Sequence, residues 1–422
     1  MLAYRDIPMK FLALDLHPKL QQAVEACGYS DMTPVQQKAI VPARRGKDVL
    51  ANAQTGTGKT AAFALPILQQ ICDKPKQIEA GYCRAIILTP TRELAEQLSE
   101  TINRYAQFLE LNISAVFGGG TIDSQKKKLS RGVDILIATP GRLLEHLVQC
   151  NINLSRADFV VLDEADRMLD MGFVADVASI LRHTPDSRQT LLFSATISAQ
   201  VQQLSKSILK RQVEVRASKM NVAADTIEHV VYPVEERRKA DLFAELIHKH
   251  NWFQVLVFTS TKAQADALVN KLKNTGVSTA ICHGDKTQGT RRRALADFKS
   301  AKVQVLIATE VAARGLDIPG LEYVVNYNLP YLAEDYVHRI GRTGRAGNKG
   351  TAISLVEAHD MGIIGKIERY TKERLSRRFI QDLRPQNKES RVVNKKAKIK
   401  LSTAQKKAKA KKQVKKKAKR AK

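Results

Sequence analysis

The stretch AIILTPTRELAEQL, residues 85 to 98, has a counterpart in VLVFTSTKAQADAL, residues 255 to 268. Both begin with four apolar residues, turn through a threonine-containing segment and continue with helical periodicity. A short unbroken apolar run suits a strand covered on both faces, as in parallel sheets whose crossovers are helices. The same order recurs along the chain. DVLANA (48 to 53), RAIILTP (84 to 90), VDILIATP (133 to 140), FVVLDEAD (159 to 166) and QTLLFSAT (189 to 196) read as buried strands, and RELAEQLSETINRYAQFL as the helix after the second. After residue 226 the pattern restarts with HVVYPV, QVLVFTST, VSTAICHG, KVQVLIATE, YVVNYNLP and TAISLVEA. This alternation predicts two α/β domains of similar design. They are expected at 1–216 and 227–368, joined by a linker at 217–226 and followed by a tail at 369–422. Ligands of such sheets bind beyond the carboxyl ends of the strands, where these turns lie.

One of those turns is unusual. FVVLDEADRML, residues 159 to 169, ends a greasy run with Asp163, Glu164 and Asp166 inside four positions. Acids suit a helix start, but clustered carboxylates repel unless something positive sits among them. The stretch Ala53-Gln54-Thr55-Gly56-Thr57-Gly58-Lys59-Thr60 supplies the answer. It is a phosphate-binding loop with Ala in place of the first Gly, preceded by a strand. Gly56 and Gly58 let backbone N–H groups curl around phosphate oxygens at a helix N-terminus. Lys59 is expected to reach the β- and γ-phosphates of ATP, and Thr60 to hold Mg²⁺. A second strand ending in Asp, about a hundred residues on, supplies the other Mg²⁺ contact. Asp163 then acts through water, and Glu164 is placed to orient and deprotonate the attacking water.

Composition narrows the class. With 422 residues, 44% hydrophobic and 26% charged, most of the chain should be globular. No apolar run spans a bilayer, and the first residues lack a signal peptide's apolar core. Five scattered cysteines fit reduced thiols in a cytoplasmic protein. The net charge is +27, and residues 388 to 422 hold seventeen Lys or Arg against the single acid Glu389. That segment is too polar to bury a core, so it is expected to be disordered and to seek nucleic-acid phosphates. A membrane-surface role lacks a lipid anchor or an apolar helix face.

The ordered motifs resemble those of the DEAD-box RNA helicases, whose signature is spelled by Asp163-Glu164-Ala165-Asp166. The resemblance covers roughly residues 10 to 368. It implies two tandem RecA-like domains, each a parallel sheet covered by helices, with ATP and RNA in the cleft between them. GYSDMTPVQ (28 to 36) is similar to the family's adenine-reading segment, which implies that Gln36 reads the adenine edge with Phe11 stacking nearby. PTRELA (90 to 95), GGG (118 to 120) and TPGR (139 to 142) resemble RNA-contacting motifs. Pro90, Thr91, Arg92, Gly119, Gly120, Thr139, Gly141 and Arg142 are the residues implied, and their charge, hydroxyls and bare backbone suit phosphates. Lys126 to Lys128 read as a solvated helix face. Ser194 and Thr196, in SAT, resemble the family's link between hydrolysis and strand separation.

In the second half, VFTST, Gln288 to Arg291, ATEVAARGLD and HRIGRTGR follow in family order. The resemblance implies arginine fingers at Arg342 and Arg345, a ribose contact at Asp317, RNA contacts at Gln288, Arg291, Thr309 and Arg314, and a coupling role for His338 and Arg339. Glu310 stands where the family pattern usually has Asp, and a retuned domain closure is expected from it. The C-terminal part is similar to the bacterial SrmB-type branch, with RhlE-type proteins close in the core. That likeness implies structured ribosomal RNA, with ribosomal proteins or pre-ribosomal particles as partners. A DNA helicase would share the cradle and fingers, and an ATP-gated RNA clamp would share all the binding residues. The combination of GYSDMTPVQ, DEAD and HRIGRTGR favours RNA, and the intact Glu164, Arg342 and Arg345 favour an active ATPase.

Overall fold

Residues 83 to 88 are buried along their whole length and alternate between two cores. Ala85 and Ile87 join the cluster of Phe63, Leu98 and Ile102, while Ile86 and Leu88 join that of Leu143, Met168 and Ile180. Both faces of the strand are therefore dry, which is why it has no polar alternation. The computed structural model describes residues 9–54, 56–216, 227–313, 318, 320–344 and 348–380. Among them the first sheet contains β1 Val49–Asn52, β2 Cys83–Leu88, β3 Ile113–Val116, β4 Val133–Ala138, β5 Phe159–Leu162, β6 Gln189–Ser194 and β7 Val213–Arg216. Their spatial order is β3-β4-β2-β5-β6-β1-β7. The second sheet contains β8 Ile227–Pro233, β9 Val255–Thr259, β10 Thr279–Cys282, β11 Val305–Thr309, β12 Tyr323–Asn326, β13 Gly350–Val356 and β14 Ser376–Arg377. Its order is β10-β11-β9-β12-β13-β8-β14, the same topology with every number raised by seven. All the strand pairs are parallel.

The threonine turns cap helices. Thr91 is extended and accepts a hydrogen bond from the Leu94 N–H at 3.3 Å, starting the helix Arg92–Tyr105. Thr261 does the same for Lys262–Leu272, and Gln264 reciprocates by accepting from the Thr261 N–H at 3.1 Å. Such caps each contribute about 1 kcal/mol. Leu94, Leu98, Ile102 and Tyr105 then form the buried stripe.

Three strands carry no sequence signal. β3 and β7 are edges of the first sheet, with half-exposed residues and, in β7, Glu214 and Arg216 facing out. β14 is two exposed residues paired with β8. Edge strands need no continuous apolar run, so their pattern is weak. The boundary expected at residue 368 falls inside the helix Met361–Thr371, and the fold continues through β14 to Ile380, which packs on the second core. The linker at 217–226 and the basic segment from 381 onward lie outside the described residues. Among those described, no helix is long and apolar enough to cross a membrane.

The second core contains a buried histidine. His229 is 5% exposed, its Nδ1 is 2.8 Å from the Tyr336 hydroxyl, and Glu373 is 3.3 Å from its Nε2. Burial dominates and lowers its pKa to about 4. A histidine depressed in the folded state and near 6.5 when unfolded contributes stability that is complete above 6.5 and is lost as pH falls toward 4. Urea denaturation should therefore show stability falling over that window, by up to about 1.4 kcal/mol per pH unit from this group. His229→Gln should flatten that slope, and an unchanged slope would refute the assignment.

Candidate active site and nucleic-acid groove

Because all the strands of the first sheet run the same way, their carboxyl ends share one edge. Along it stand, in spatial order, Thr139-Pro140-Gly141-Arg142 after β4, Pro90 to Ala95 after β2, the acidic turn after β5, Ser194 to Thr196 at β6 and the phosphate loop after β1. The loop closes on itself, with the Thr57 hydroxyl donating to the Gln54 carbonyl at 2.7 Å and the Ala53 N–H to the Ser194 carbonyl at 2.9 Å. Gly56 and Gly58 have φ of 84° and 86°, which a side chain would resist. Gly58 caps the helix Lys59–Asp73, whose first turn points its free N–H groups outward. Gly56, Gly58, Lys59, Thr60, Asp163 and Glu164 line a single cavity of about 320 Å³.

Lys59 is 6% exposed and its ammonium lies 3.5 Å from Asp163 Oδ1. Burial opposes its charge, but Asp163, Glu164 and Asp166 outweigh that and hold the ammonium above its ordinary pKa. Burial pushes the Asp163 carboxyl up, with Lys59 and the Glu164 N–H pulling against it. Lys59 Nζ has no hydrogen-bond partner among the described residues. A buried ammonium with unused donors, set at a helix N-terminus, fits a polyphosphate. Thr60 and Asp163 offer hard oxygens to the same cavity, the donor type that Mg²⁺ takes.

Glu164 occupies the left-handed region, φ 53° and ψ 51°, rare for a non-glycine residue and held by its N–H donating to Asp163 Oδ1 at 3.0 Å. Asp166 faces the other way. Its Oδ2 accepts from both the N–H and the hydroxyl of Thr196, each at 2.9 Å, and its N–H donates to Ser194 Oγ at 3.3 Å. Ser194 and Thr196, expected to couple hydrolysis to strand separation, are thus bonded directly to the acidic turn.

From the second half, the helix Ala333–Ile340 meets this turn. Arg167 donates to Asp335 Oδ1 at 2.6 Å. His338 is lowered to about 3, by burial first and then by Arg167 and Arg342, with Glu164 and Asp335 pulling the other way. One imidazole therefore feels both Glu164 and Arg342. Arg339 is a strut within the second half. It pairs with Glu310, donates to Asn326 Oδ1 at 3.1 Å and to the Asn328 carbonyl at 2.7 Å, and lies over the Phe258 ring. The longer carboxylate of Glu310 is engaged by that strut.

The other expected residues divide. Pro90, Thr91, Arg92, Thr139, Gly141 and Arg142 share a groove of about 370 Å³ with Arg291, Gly284 and Val311 of the second half. Arg92 packs on Gly118 and Gly119, where a Cβ would collide with its guanidinium. Gly120 adjoins through its carbonyl, which accepts from Arg142 at 3.0 Å. Arg291 is also ion-paired with Glu93 at 2.6 Å, and Gln288 donates to Glu93 at 3.4 Å, so both bridge the halves. Thr309 is buried at the end of β11. Lys126 to Lys128 are exposed on the helix Ile122–Leu129, as expected. Gln36 accepts from the Thr33 N–H at 2.8 Å and donates to the Gly58 carbonyl at 3.1 Å, so it touches the phosphate loop and keeps one donor and one acceptor free. Phe11 is 2% exposed and stacks on Tyr29 at 5.7 Å, and Tyr29 and Tyr105 are the aromatics that line the cavity beside Lys59. Thr55, Arg314, Asp317 and Arg345 lie outside the described residues. Tyr29, Glu93, Arg167 and Asp335 were not singled out in the sequence, although the first three adjoin or lie within quoted motifs.

Residues 33–204 match the DEAD/DEAH box helicase model and residues 238–347 the helicase conserved C-terminal domain. The chain is 41% identical over 399 residues to the ATP-dependent RNA helicase SrmB of Haemophilus influenzae, covering 93% of this chain and 91% of that protein. The chain belongs to the DEAD-box RNA helicase family. It is also 40% identical over 366 residues to the ATP-dependent RNA helicase CshA of Listeria monocytogenes, covering 87% of this chain and 69% of that one. Among solved structures, S. cerevisiae Dbp5 bound to RNA and ADP BeF3 superposes with a TM-score of 0.80 at 32% identity, over 88% of this chain and 96% of that one. As a DEAD-box protein with two tandem RecA-like domains, the chain is an ATP-dependent RNA helicase.

The bridge between Arg167 and Asp335 is buried on the arginine side, 4% exposed. Arg167→Met should leave ATP hydrolysis without RNA little changed and reduce RNA-stimulated hydrolysis at least about ten-fold, a difference of about 1.4 kcal/mol. Steady-state ATPase assays check this. Equal loss with and without RNA would mean that the bridge does not couple the halves.

Proposed function

We propose that this helicase binds ATP through Lys59, the N–H groups of its helix and Thr60, and binds RNA across the groove that both halves line. Gln36 and Tyr29 would face the base. Thr60 and Asp163 would hold Mg²⁺, which supplies charge neutralisation on the phosphates when bound. Glu164 would draw a proton from the attacking water. Arg342, and Arg345 beside it in sequence, would stabilise charge on the transferred phosphoryl group, a role worth about 10³–10⁵ in rate in related phosphoryl transfers. The observation that carries this reading is the contact of the two halves at the acidic turn, where Arg167 donates to Asp335 at 2.6 Å and the buried His338 of the same helix feels the charges of both Glu164 and Arg342. Hydrolytic base and electrophile then meet only when the halves are together, so ATP and RNA each favour the closed state and each other.

A duplex step is worth roughly 1–2 kcal/mol. A few kcal/mol of closure energy opens only a few base pairs, so local strand separation fits better than long-range tracking. Likeness to SrmB supports structured ribosomal RNA as substrate, with pre-ribosomal particles or ribosomal proteins as partners, in the cytoplasm. The basic segment at 388–422 would tether RNA while the core acts.

ATP hydrolysis measured with single-stranded RNA, with DNA of equal sequence and with Glu164→Gln tests the core reading. RNA should stimulate strongly, DNA weakly, and the variant should lose at least about 100-fold. Equal stimulation by DNA would overturn RNA as the partner. Removing residues 388–422 should also flatten the dependence of log affinity on log salt, by about 0.7 for each phosphate that the segment neutralises. An unaltered slope would show that the segment does not engage RNA.

A further inference from the structure

Arg142 enters the groove from the turn after β4, and its guanidinium is held by a buried polar chain that extends away from the groove. Arg142 Nη1 donates to Gln125 Oε1 at 3.3 Å as well as to the Gly120 carbonyl, and its Nε pairs with Glu145 at 2.9 Å. Gln125 Nε2 donates to the Phe117 carbonyl at 2.9 Å. The same Gln125 Oε1 lies 3.0 Å from His146 Nε2, and His146 Nδ1 lies 3.2 Å from Asn151 Nδ2. His146 is 0% exposed, with Gln125 and Asn151 buried as well.

The chemistry of this chain leaves one solution. A guanidinium only donates, so the Gln125 atom facing it is the amide oxygen. That oxygen cannot donate to His146, so His146 Nε2 must carry the proton. Nδ1 is then the acceptor, which requires the amino group of Asn151 on that side. Asn151 keeps that orientation by donating also to Gln149 Oε1 at 3.1 Å. Gln125 therefore fixes the proton on Nε2, and burial lowers the ring's pKa, which favours the neutral form.

We infer that Gln125 and His146 are positioning residues for RNA binding: the His146 Nε2–H fixes Gln125, and Gln125 fixes the Arg142 guanidinium and the Gly118–Gly120 turn against the groove. The inference rests on the groove being the RNA site. Neither side chain reaches the groove's lining, so neither touches RNA. A guanidinium with two fixed acceptors presents its remaining N–H groups in one direction, so a phosphate meets a preorganised donor set and not a mobile cation. Without the His146 proton, Gln125 Oε1 loses a partner in a buried site and the amide is free to turn.

The experiment is RNA-stimulated ATP hydrolysis of the full chain, read as the RNA concentration giving half-maximal stimulation. His146→Leu keeps the volume and removes the donor. It should raise that concentration about ten-fold, leaving hydrolysis without RNA and the KM for ATP unchanged. His146→Gln, whose amide can still donate to Gln125, should recover most of the loss. In an Arg142→Ala background, His146→Leu should have no further effect. Should the leucine variant fail to fold, His146→Asn, too short to reach Gln125, gives the same comparison. A ten-fold loss that persists without Arg142, or no loss at all, would overturn the positioning role. A wild-type protein that RNA does not stimulate would overturn the groove reading, and the inference with it.

Discussion

The contact between the Lys59 ammonium and Asp163, 3.5 Å long and almost dry, is the interaction on which the site depends. Three buried carboxylates within four residues would expel one another or take up protons unless each had its own partner. Asp163 has Lys59 and the Glu164 N–H, while Asp166 has the two donors of Thr196. Glu164 lines the cavity beside Lys59, and its left-handed backbone is the conformation that turns neighbouring acids in different directions. The left-handed glycines at 56 and 58 follow from the same need, since they bring Lys59 to the strand end across β6.

The same reasoning extends to the contact between halves. Arg167 and Glu93 are buried charges of the first half, and they pair with Asp335 and Arg291 of the second. Breaking such pairs is costly because each partner is left desolvated and alone. Charges therefore carry much of the contact between the halves, and charges respond to what else enters the cleft. Arg291 illustrates this: it lines the groove proposed for RNA and pairs with Glu93, so an anionic strand bound there would compete with a glutamate for one guanidinium.

Most of this is legible in the sequence where apolar runs or glycine-lysine spacing carry a direct physical meaning. Interior strands announce themselves because both faces are buried, and the phosphate loop because few other turns need its glycines. β3, β7 and β14 stay hidden because an edge strand can be half polar. Phe11, expected to stack near the adenine, is 2% exposed and packs on Tyr29, a ring-on-ring contact that a sequence does not show. Arg339, singled out for a coupling role, also braces Glu310, Asn326 and Phe258 within the second half, contacts that a sequence does not show. Gln125 and His146 carry no signal at all: a polar chain assembled from three segments exists only once the strands have brought them together.

The spatial order of the strands explains how hydrolysis and nucleic-acid binding come to share so short a path. The turns proposed to face RNA follow β4 and β2, the phosphate loop follows β1, and β5 and β6 stand between them. Between the two ends of the edge lie the acidic turn and Ser194 to Thr196, and these are the two turns tied together by hydrogen bonds to Asp166. A rearrangement of Glu164 or Lys59 on loss of the terminal phosphate would strain Asp163 directly and Asp166 through the short backbone between them. Thr196 would feel it next, and the groove is two strands away. On the proposed reading, coupling needs no long lever, because parallel strands place the phosphate loop and the groove turns on one edge.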